Sequence, residues 1–404
     1  MESLRELYRV GPGPSSSHTI APKRALEEFM SRHKDATSFK VALYGSLALT
    51  GKGHLTDFIL KKTASPLECE VVFDINEKIT HPNTMDLFAY KGKEEIAKCR
   101  AYSLGGGKFS FEGETYFVDP QVFPFNNCSQ IREALEKEHK TLLELVYSYD
   151  KDIKSHLEMV LDKMFECVNR GLNATGLIPG KLKLEKVASS IYKEAIAMGD
   201  DNPEKVKLLL TAYAYACSEE NASGGEVITA PTCGSCGIVP SVLYYFYKHH
   251  NKEKCQLVDA LAIGGVFGNL VKTNASISGA VGGCQAEVGT ACSMAAAMAA
   301  YLFGLNLDQI EYASEVAMEH HLGLTCDPVL GYVQIPCIER NGVAALRAYD
   351  AAIYGRYISK FRKNRVSFDD VIDVMKETGD HIKQDYKETS LGGLAKKYLE
   401  KEEK

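Results

Sequence analysis

Three cysteines in the second half of the chain lie beside glycine or proline, where predicted helices begin or end. Cys284 follows two glycines, Cys326 comes shortly before Pro328, and Cys337 follows Pro336. Glycine and proline shape the backbone at such junctions, so each thiol can point into a space between helices. Three thiolates placed in this way could hold an iron–sulfur cluster whose remaining iron acts as a Lewis acid. Intervals of 42 and 11 residues match no general cluster rule, so three buried thiols without a metal remain the alternative.

Two further features stand near these cysteines. The Cys233-Gly234-Ser235-Cys236 segment has redox or zinc spacing. A thioredoxin-like site needs a βαβ context, and a zinc site needs two more ligands; neither is evident. Arg340 follows Cys337 by three residues and could bind a substrate carboxylate through two parallel hydrogen bonds. A surface ion pair is the simpler interpretation of Arg340.

The N-terminal segment carries hydroxyls and one imidazole directly before a predicted helix. Two Gly-Pro pairs at 11–14 fix the backbone, and Ser15, Ser16, Ser17, His18 and Thr19 follow. Hydroxyls and backbone N–H groups at a helix N-terminus can bind a carboxylate or phosphate. One hydroxyl is enough to cap a helix, and four are present, so we favour a ligand-binding role over a helix cap.

A glycine-rich segment at 45–54 follows a predicted strand. Its two glycines, Gly45 and Gly51, are one residue too far apart for a phosphate-binding loop, and Gly53 stands where such a loop needs Ser or Thr. The pattern predicts a glycine-rich turn with an exposed Lys52-Gly53-His54 on a flexible loop.

The elements that must position these residues change character along the chain. A helix over 22–32 and strands at 39–44, 70–75, 97–103, 108–111 and 115–118 predict an α+β N-terminal domain. Helical periodicity begins at 129 and continues to the end, with a capping box at Asn306 and Gln309. We therefore predict an α+β domain over residues 1–127 and an all-α catalytic domain over residues 128–404. The helices expected after 170 span 184–198, 203–219, 239–249, 286–304, 307–321, 341–360 and 367–378.

Composition excludes several classes of protein. The chain has 404 residues, 45% of them hydrophobic and 25% charged, which is typical of a globular protein. A net charge of −6 without a basic stripe argues against a nucleic-acid partner or an anionic membrane. The longest apolar run, near 292–305, is too short to span a bilayer, and the N-terminus has no signal peptide pattern. We expect a cytoplasmic protein whose twelve cysteines stay reduced.

Taken together, these motifs resemble the iron–sulfur-dependent bacterial L-serine dehydratases, which are L-serine ammonia-lyases. The resemblance extends almost from end to end, in family order, over segments 13–19, 44–57, 220–240, 274–294, 319–341 and 388–394. In that family, a β-type and an α-type domain occur fused or as separate chains, and here they look fused. The resemblance implies conversion of L-serine to pyruvate and ammonia, without pyridoxal phosphate, by a protein that we expect to be a homodimer.

The resemblance also implies roles for individual residues. Carried over position by position, the ligands of a 4Fe–4S cluster fall on Cys284, Cys326 and Cys337. A neutral histidine would then take the α-proton of the substrate; we favour His54, with His18 as the rival. Both come from the first domain, so the active site is expected where the two domains meet. The candidate substrate-binding residues are Ser15, Ser16, Ser17, Thr19, Thr232, Ser276, Ser278 and Arg340.

Two departures from the family pattern affect the fourth iron. Many relatives end in a cysteine, whereas the last cysteine here is Cys337, so no tail thiolate is expected at that iron. Cys233 stands where many relatives have Asn, and we predict that it is not a ligand. An amino-acid-sensing protein with a structural cluster, a zinc hydrolase and a thiol oxidoreductase at Cys233 and Cys236 remain the alternatives.

Overall fold

The change from strands to helices that the sequence predicts is present in the fold. The structure, a computed structural model, describes residues 1–114 and 121–402. Six of the seven strands that these residues form end by residue 111, and helices dominate from residue 128 onward. The strand predicted at 115–118 lies outside the described residues. A short strand at Glu226–Ile228 interrupts the otherwise helical second half.

The N-terminal region is built on a five-stranded mixed sheet. Its spatial order is β3-β2-β4-β5-β6, with β2 and β3 parallel and the other pairs antiparallel. Alternate residues of β2 face a small core, where Val41 pairs with Val71 on one side and Leu87 on the other. Helices α1 and α3 pack beside this sheet. The elements are β1 Val10–Pro12, α1 Ala21–Arg32, β2 Ser38–Tyr44, α2 Ser46–Leu49, α3 Thr56–Ala64, β3 Glu68–Asp74, β4 Thr84–Lys91, β5 Glu94–Gly105 and β6 Lys108–Phe111.

Thirteen further helices and one strand follow in the described part of the second half. They are α4 Cys128–Glu138, α5 Leu142–Tyr149, α6 Ile153–Leu172, α7 Ala188–Ala197, α8 Lys205–Ala222, β7 Glu226–Ile228, α9 Ile238–His249, α10 Lys254–Asn274, α11 Gly279–Gly282, α12 Thr290–Leu302, α13 Leu307–Glu319, α14 Cys337–Tyr357, α15 Phe368–His381 and α16 Gly393–Glu402. The capping box predicted at Asn306 and Gln309 is confirmed, since each side chain accepts the backbone N–H of the other.

Helix α12 forms the centre of the helical core. It contacts α9, α10, α13 and α14, and twelve of its thirteen residues are buried. Six of those residues are alanines, whose small side chains allow neighbouring helices to approach closely. Opposite α12, Gly264 of α10 leaves room for Met298, because an added Cβ would stand 2.4 Å from the methionine Cε.

The first twenty residues join the two regions. Met1, Leu4, Leu7 and Tyr8 belong to the helical core and not to the core beneath the sheet. Strand β1 pairs antiparallel with β7. The start of the N-terminal segment is therefore anchored to the helical half, whereas the turn at 16–20 packs against β1, α1, α3 and β5 of the N-terminal region.

Helix α10 is absent from the helices predicted above. Its three glycines and small side chains obscure the periodicity, because most of its faces are buried and polar residues are scarce. By length and composition alone, α10 could cross a membrane, but 78% of its most apolar stretch is buried in the fold. Its apolar character is that of a core helix.

Candidate active site

The three cysteines at the helix junctions line one cavity. Cys284 precedes the irregular turn before α12, Cys326 lies in an extended segment that bridges to Lys387, and Cys337 is the first residue of α14. The cavity measures about 440 Å³, including the part open to solvent. Its lining comes from both halves of the chain: Pro14, Ser15, His54, Gly234, Cys284, Glu287, Cys326, Asp327, Pro328, Val333, Pro336, Cys337, Arg340 and Glu388.

Hydrogen bonds between the junctions hold the three cysteines around this cavity. The N–H of Gln285, directly after Cys284, donates to the carbonyl of Leu324 at 3.2 Å. Arg340 Nη1, one turn after Cys337, donates to the carbonyl of Thr325 at 2.6 Å. These two hydrogen bonds thus join the segments of Cys284 and of Cys337 to the segment that carries Cys326.

The spacing of the thiols fits a group larger than a single ion. Zinc binds sulfur at about 2.3 Å, so sulfur atoms that share one zinc ion lie within about 4.6 Å of one another. Among the described residues, one set of three or more His, Cys, Asp or Glu side chains has its ligand atoms within 4.8 Å of one another. That set is His18, His54 and Glu388, not the cysteines. Cys284 and Cys326 are buried and Cys337 is half-buried. Three thiols set more widely around one cavity suit a multi-iron cluster.

Electrostatics at the cavity favour a positive partner for the thiols. Burial raises the pKa of Cys284 to about 11, against the lowering effect of the nearby Arg340 guanidinium. Burial also raises the pKa of Cys326 and of Cys337 well above the usual thiol range, and neighbouring acidic groups and thiols add to this. Free thiolates are therefore unfavourable here, and bound iron would supply the charge that stabilises them.

His54 is the histidine that faces the cavity. Its Nδ1 lies 2.9 Å from the carbonyl oxygen of Thr50, which can only accept, so Nδ1 carries the hydrogen. Burial lowers the pKa of His54 to about 4, which keeps the ring neutral and leaves a lone pair on Nε2. The expectation that His54 lies exposed on a flexible loop is wrong: the side chain is 1% exposed, because the segment folds into α2 and a turn beneath the helical half.

His18 lies behind His54. The two rings stack at 4.2 Å, and His18 is fully buried and absent from the cavity lining. Its Nε2 faces the carbonyl of Ser46 at 3.2 Å and the Thr50 hydroxyl at 2.9 Å, while Nδ1 faces the Ser15 hydroxyl at 3.2 Å. Burial, with the neighbouring His54, lowers its pKa well below the usual range. His18 is thus placed to support His54 and Ser15.

Three acidic side chains of the cavity, Glu287, Asp327 and Glu388, were not among the sequence candidates. Glu388 is 5% exposed, and its Oε1 stands 3.6 Å from His18 Nδ1 and 3.7 Å from His54 Nε2. Glu287 also lines the cavity, where it interacts with Thr232 and Arg340. Glu388 begins one of the segments that carry the family resemblance, and that position was the one signal that could have identified it.

The segment around Glu388 is held against the cysteine segment. The N–H of Glu388 donates to the carbonyl of Cys326 at 2.8 Å, and the N–H of Cys326 donates to the carbonyl of Tyr386 at 2.8 Å. The Ser46 hydroxyl donates to the Glu388 carbonyl at 3.1 Å, which adds a contact from the N-terminal region. Asp327 Oδ2 accepts the N–H of Leu394 at 2.7 Å. The chain after α15 therefore lies between the two halves.

The predicted hydroxyls divide into one that reaches the cavity and several that do not. Ser15 lines it. Ser16 and Ser17 are buried in the following turn, and the Thr19 hydroxyl contacts the backbone carbonyls of Pro12 and Ser15. Three more predicted hydroxyls lie outside the lining. Thr232 contacts Glu287 and Ser235. The Ser276 hydroxyl accepts the N–H of Ser278, and Ser278 precedes α11.

The remaining predicted features occupy the surroundings of the cavity. Arg340 lines it, and its Nη2 lies 3.4 Å from Asp327 Oδ1, so the guanidinium is largely buried and does not form a surface ion pair. Cys233 and Cys236 are buried and absent from the lining, although Gly234 between them belongs to it.

Comparison with known proteins shows the family of this chain. A family model described as the serine dehydratase beta chain matches residues 3–60, and one described as the serine dehydratase alpha chain matches residues 67–395. The chain belongs to the serine dehydratase family. In this family member, the beta and alpha segments are fused in one chain, as the sequence predicted.

Individual members of the serine dehydratase family are similar over almost their whole length. An L-serine dehydratase of Helicobacter pylori strain J99 is 38% identical, with 98% of this chain and 98% of the relative covered. L-serine dehydratase 2 of Escherichia coli K12 is 36% identical, with 99% of each chain covered. An L-serine dehydratase of Streptomyces coelicolor is 36% identical, with 98% of this chain and 99% of the relative covered.

Proposed function

We propose that this protein is an L-serine ammonia-lyase that binds a 4Fe–4S cluster through Cys284, Cys326 and Cys337. The observation that carries the proposal is that three thiols from separate segments surround one buried cavity, into which a neutral imidazole directs a lone pair. The names of the relatives support the choice of L-serine as substrate.

The reaction needs two difficult departures from serine. The α-proton is a weak acid, and the β-hydroxyl is a poor leaving group. When bound, the cluster would supply a Lewis acid that stabilises the departing hydroxyl. Loss of water then leaves an enamine, which hydrolyses to pyruvate and ammonia without further help from the protein.

His54 takes the α-proton in this proposal. The Thr50 carbonyl fixes the ring so that the unprotonated Nε2 faces the cavity. Burial keeps the imidazole neutral near pH 7, which is the state that a general base requires. His18 stacks on His54 and limits the orientations of the ring.

Ser15 and Arg340 are the predicted substrate-binding side chains that reach the cavity. The guanidinium has five N–H donors, and its partners, which include Thr325, Asp327 and the Cys284 thiol, occupy part of them. We assign its remaining donors to the substrate carboxylate and the Ser15 hydroxyl to the substrate oxygens. The other predicted hydroxyl residues would shape the cavity walls behind Ser15 and Arg340; they are Ser16, Ser17, Thr19, Thr232, Ser276 and Ser278.

Anaerobic reconstitution with iron and sulfide, followed by a pyruvate assay, tests the proposal. The wild type should become brown and form pyruvate from L-serine, whereas Cys284→Ser should lose both properties. Cys255→Ser is the matched control, because Cys255 is an exposed thiol outside the cavity. Retention of iron and activity in Cys284→Ser would contradict the ligand assignment. A brown protein that forms no pyruvate would favour the amino-acid-sensing alternative.

Further expectations concern the setting of the enzyme. We propose that it acts in the cytoplasm as a homodimer, without nucleic-acid or membrane partners. Sedimentation at several protein concentrations would test the dimer.

A further inference from the structure

The part of the cavity around Glu388 is rich in hydrogen-bond acceptors. His54 carries its hydrogen on Nδ1, so Nε2 presents a lone pair. His18 Nε2 faces the carbonyl of Ser46, which can only accept, so His18 Nδ1 is also an acceptor, with the Ser15 hydroxyl 3.2 Å away. Glu388 Oε1 stands 3.6 Å and 3.7 Å from these two nitrogens, and distances of this length are not hydrogen bonds. Neither imidazole therefore gives the carboxylate a hydrogen.

The charged side chains of the cavity also indicate that a positively charged group binds there. Its lining contains three carboxylates, Glu287, Asp327 and Glu388, and one cation, Arg340. Asp327 and the Thr325 carbonyl already engage the guanidinium. The backbone N–H of Ala280 approaches Glu388, and the Thr232 hydroxyl approaches Glu287. The buried Glu388 and the half-buried Glu287 thus share one cavity whose cation, Arg340, is already engaged by Asp327, which is unfavourable unless a bound group supplies further positive charge.

We propose that Glu388, assisted by the charge of Glu287, binds the α-ammonium group of an amino-acid substrate. A primary ammonium carries one positive charge and three N–H donors, which would complement the acceptors around Glu388 beyond the single N–H of Ala280. The site also fits the reaction, because the amino group and the α-proton are attached to the same carbon. Groups that contact two substituents of one carbon must lie within a few ångström of each other, as Glu388 and His54 do. The identity of the substrate rests on the proposed function, whereas the ammonium site rests on the cavity.

Ligands that differ only in the ammonium group test the proposal without turnover. L-alanine and propanoate have the same carbon skeleton and carboxylate, and neither carries the hydroxyl that the enzyme eliminates. Both should be titrated calorimetrically into the anaerobically reconstituted wild type and Glu388→Gln. The wild type should prefer L-alanine roughly tenfold or more, and Glu388→Gln should lose most of that preference because an amide offers no negative charge. The KM for L-serine should rise by a similar factor at equal iron content.

The control and the contrary outcomes separate this inference from the proposed function. Glu377→Gln changes an exposed carboxylate of α15 and should bind both ligands like the wild type. An unchanged preference for L-alanine in Glu388→Gln would overturn the ammonium site, even if the wild type forms pyruvate. Failure of the wild type to form pyruvate would overturn the proposed function, while the ligand pair still decides the ammonium site. One divalent metal ion per chain that disappears in Glu388→Gln would replace the ammonium site by a site for that ion.

Discussion

Two groups of cysteines, buried except for the half-buried Cys337, make the informative comparison in this molecule. The cavity thiols, Cys284, Cys326 and Cys337, line a space that also contains Arg340 and Glu388. The core thiols, Cys167, Cys217, Cys233 and Cys236, lie close to one another inside the helical core and are absent from that lining. Burial raises the pKa of Cys326, and it raises the pKa of Cys236 in the same direction.

The difference between the two groups shows which sequence signal matters. Cys233 and Cys236 have the spacing that often indicates a redox or metal site, yet the Cys236 thiol contacts the carbonyl of Cys217 within packed helices. The cavity thiols have no recognisable spacing. They are set apart by their positions at helix junctions, where the backbone leaves room for a ligand. Surroundings, and not thiol burial or spacing, distinguish a candidate ligand from a packing residue.

We expect the largest effect on iron content and activity from replacing single cysteines of the two groups by serine. Cys326→Ser and Cys337→Ser should each lose most of the iron and the activity after reconstitution, because a cube with two protein ligands is poorly held. Cys217→Ser should keep iron and activity and lose about 1–3 kcal/mol of stability, since its hydroxyl replaces a buried thiol. The iron-to-protein ratio measures the loss of iron, and thermal unfolding measures the loss of stability. Equal iron loss in all three variants would remove the distinction between the groups.

Removal of the proposed base should have the next largest effect. His54→Ala should lower kcat by about 10² to 10⁴ at unchanged iron content, because proton transfer by a positioned side chain contributes in that range. His321→Gln is the matched control. His321 is also buried, which lowers its pKa to about 4, but it is absent from the cavity lining. A His54→Ala variant with wild-type kcat would transfer the role of base to another group.

Two glycines test how far the cavity depends on the segment that follows α15. Gly393 has φ +57°, and an added Cβ would stand 2.0 Å from Asp327 Oδ2. Gly304 has φ +77° with open space around it. Both substitutions to Ala strain the backbone by about 1–2 kcal/mol, but only Gly393→Ala also pushes against the cysteine segment. Gly393→Ala should therefore lose iron faster during buffer exchange than Gly304→Ala, and equal rates would count against this dependence.

The smallest predicted effect is the fall in folding stability at low pH. Burial lowers the pKa of His54 and of His321 to about 4, against an ordinary value of 6.5. Below pH 6.5 the unfolded chain takes up protons that the folded chain does not, so stability falls as the pH drops toward 4. Each histidine should lower the free energy of unfolding by about 1–2 kcal/mol between pH 7 and pH 5. His321→Gln should therefore show a smaller drop in melting temperature over this interval than the wild type. An identical drop would mean that His321 is protonated in the folded state.

Much of the fold could be predicted from the sequence. Aromatic and β-branched residues in β2 and clear capping at Asn306 gave the right elements, because these signals depend on a few neighbouring residues. Helix α10 could not be found in this way, since a helix that is buried on most faces has no polar side to mark its period. His54, the expected base, lines the cavity but was wrongly expected to be exposed, because the helical half that covers it lies far along the chain.

The sequence by itself determined the family, the fused order of the two segments and the three cysteines that merit attention, since these depend on residue types and their order. Only the tertiary structure brought the cysteines to one cavity and placed Glu388 beside two histidines from the N-terminal region. The physical reason is that burial and facing charges arise between segments separated by hundreds of residues, such as His18 and Glu388. No local pattern encodes the distance between two such groups.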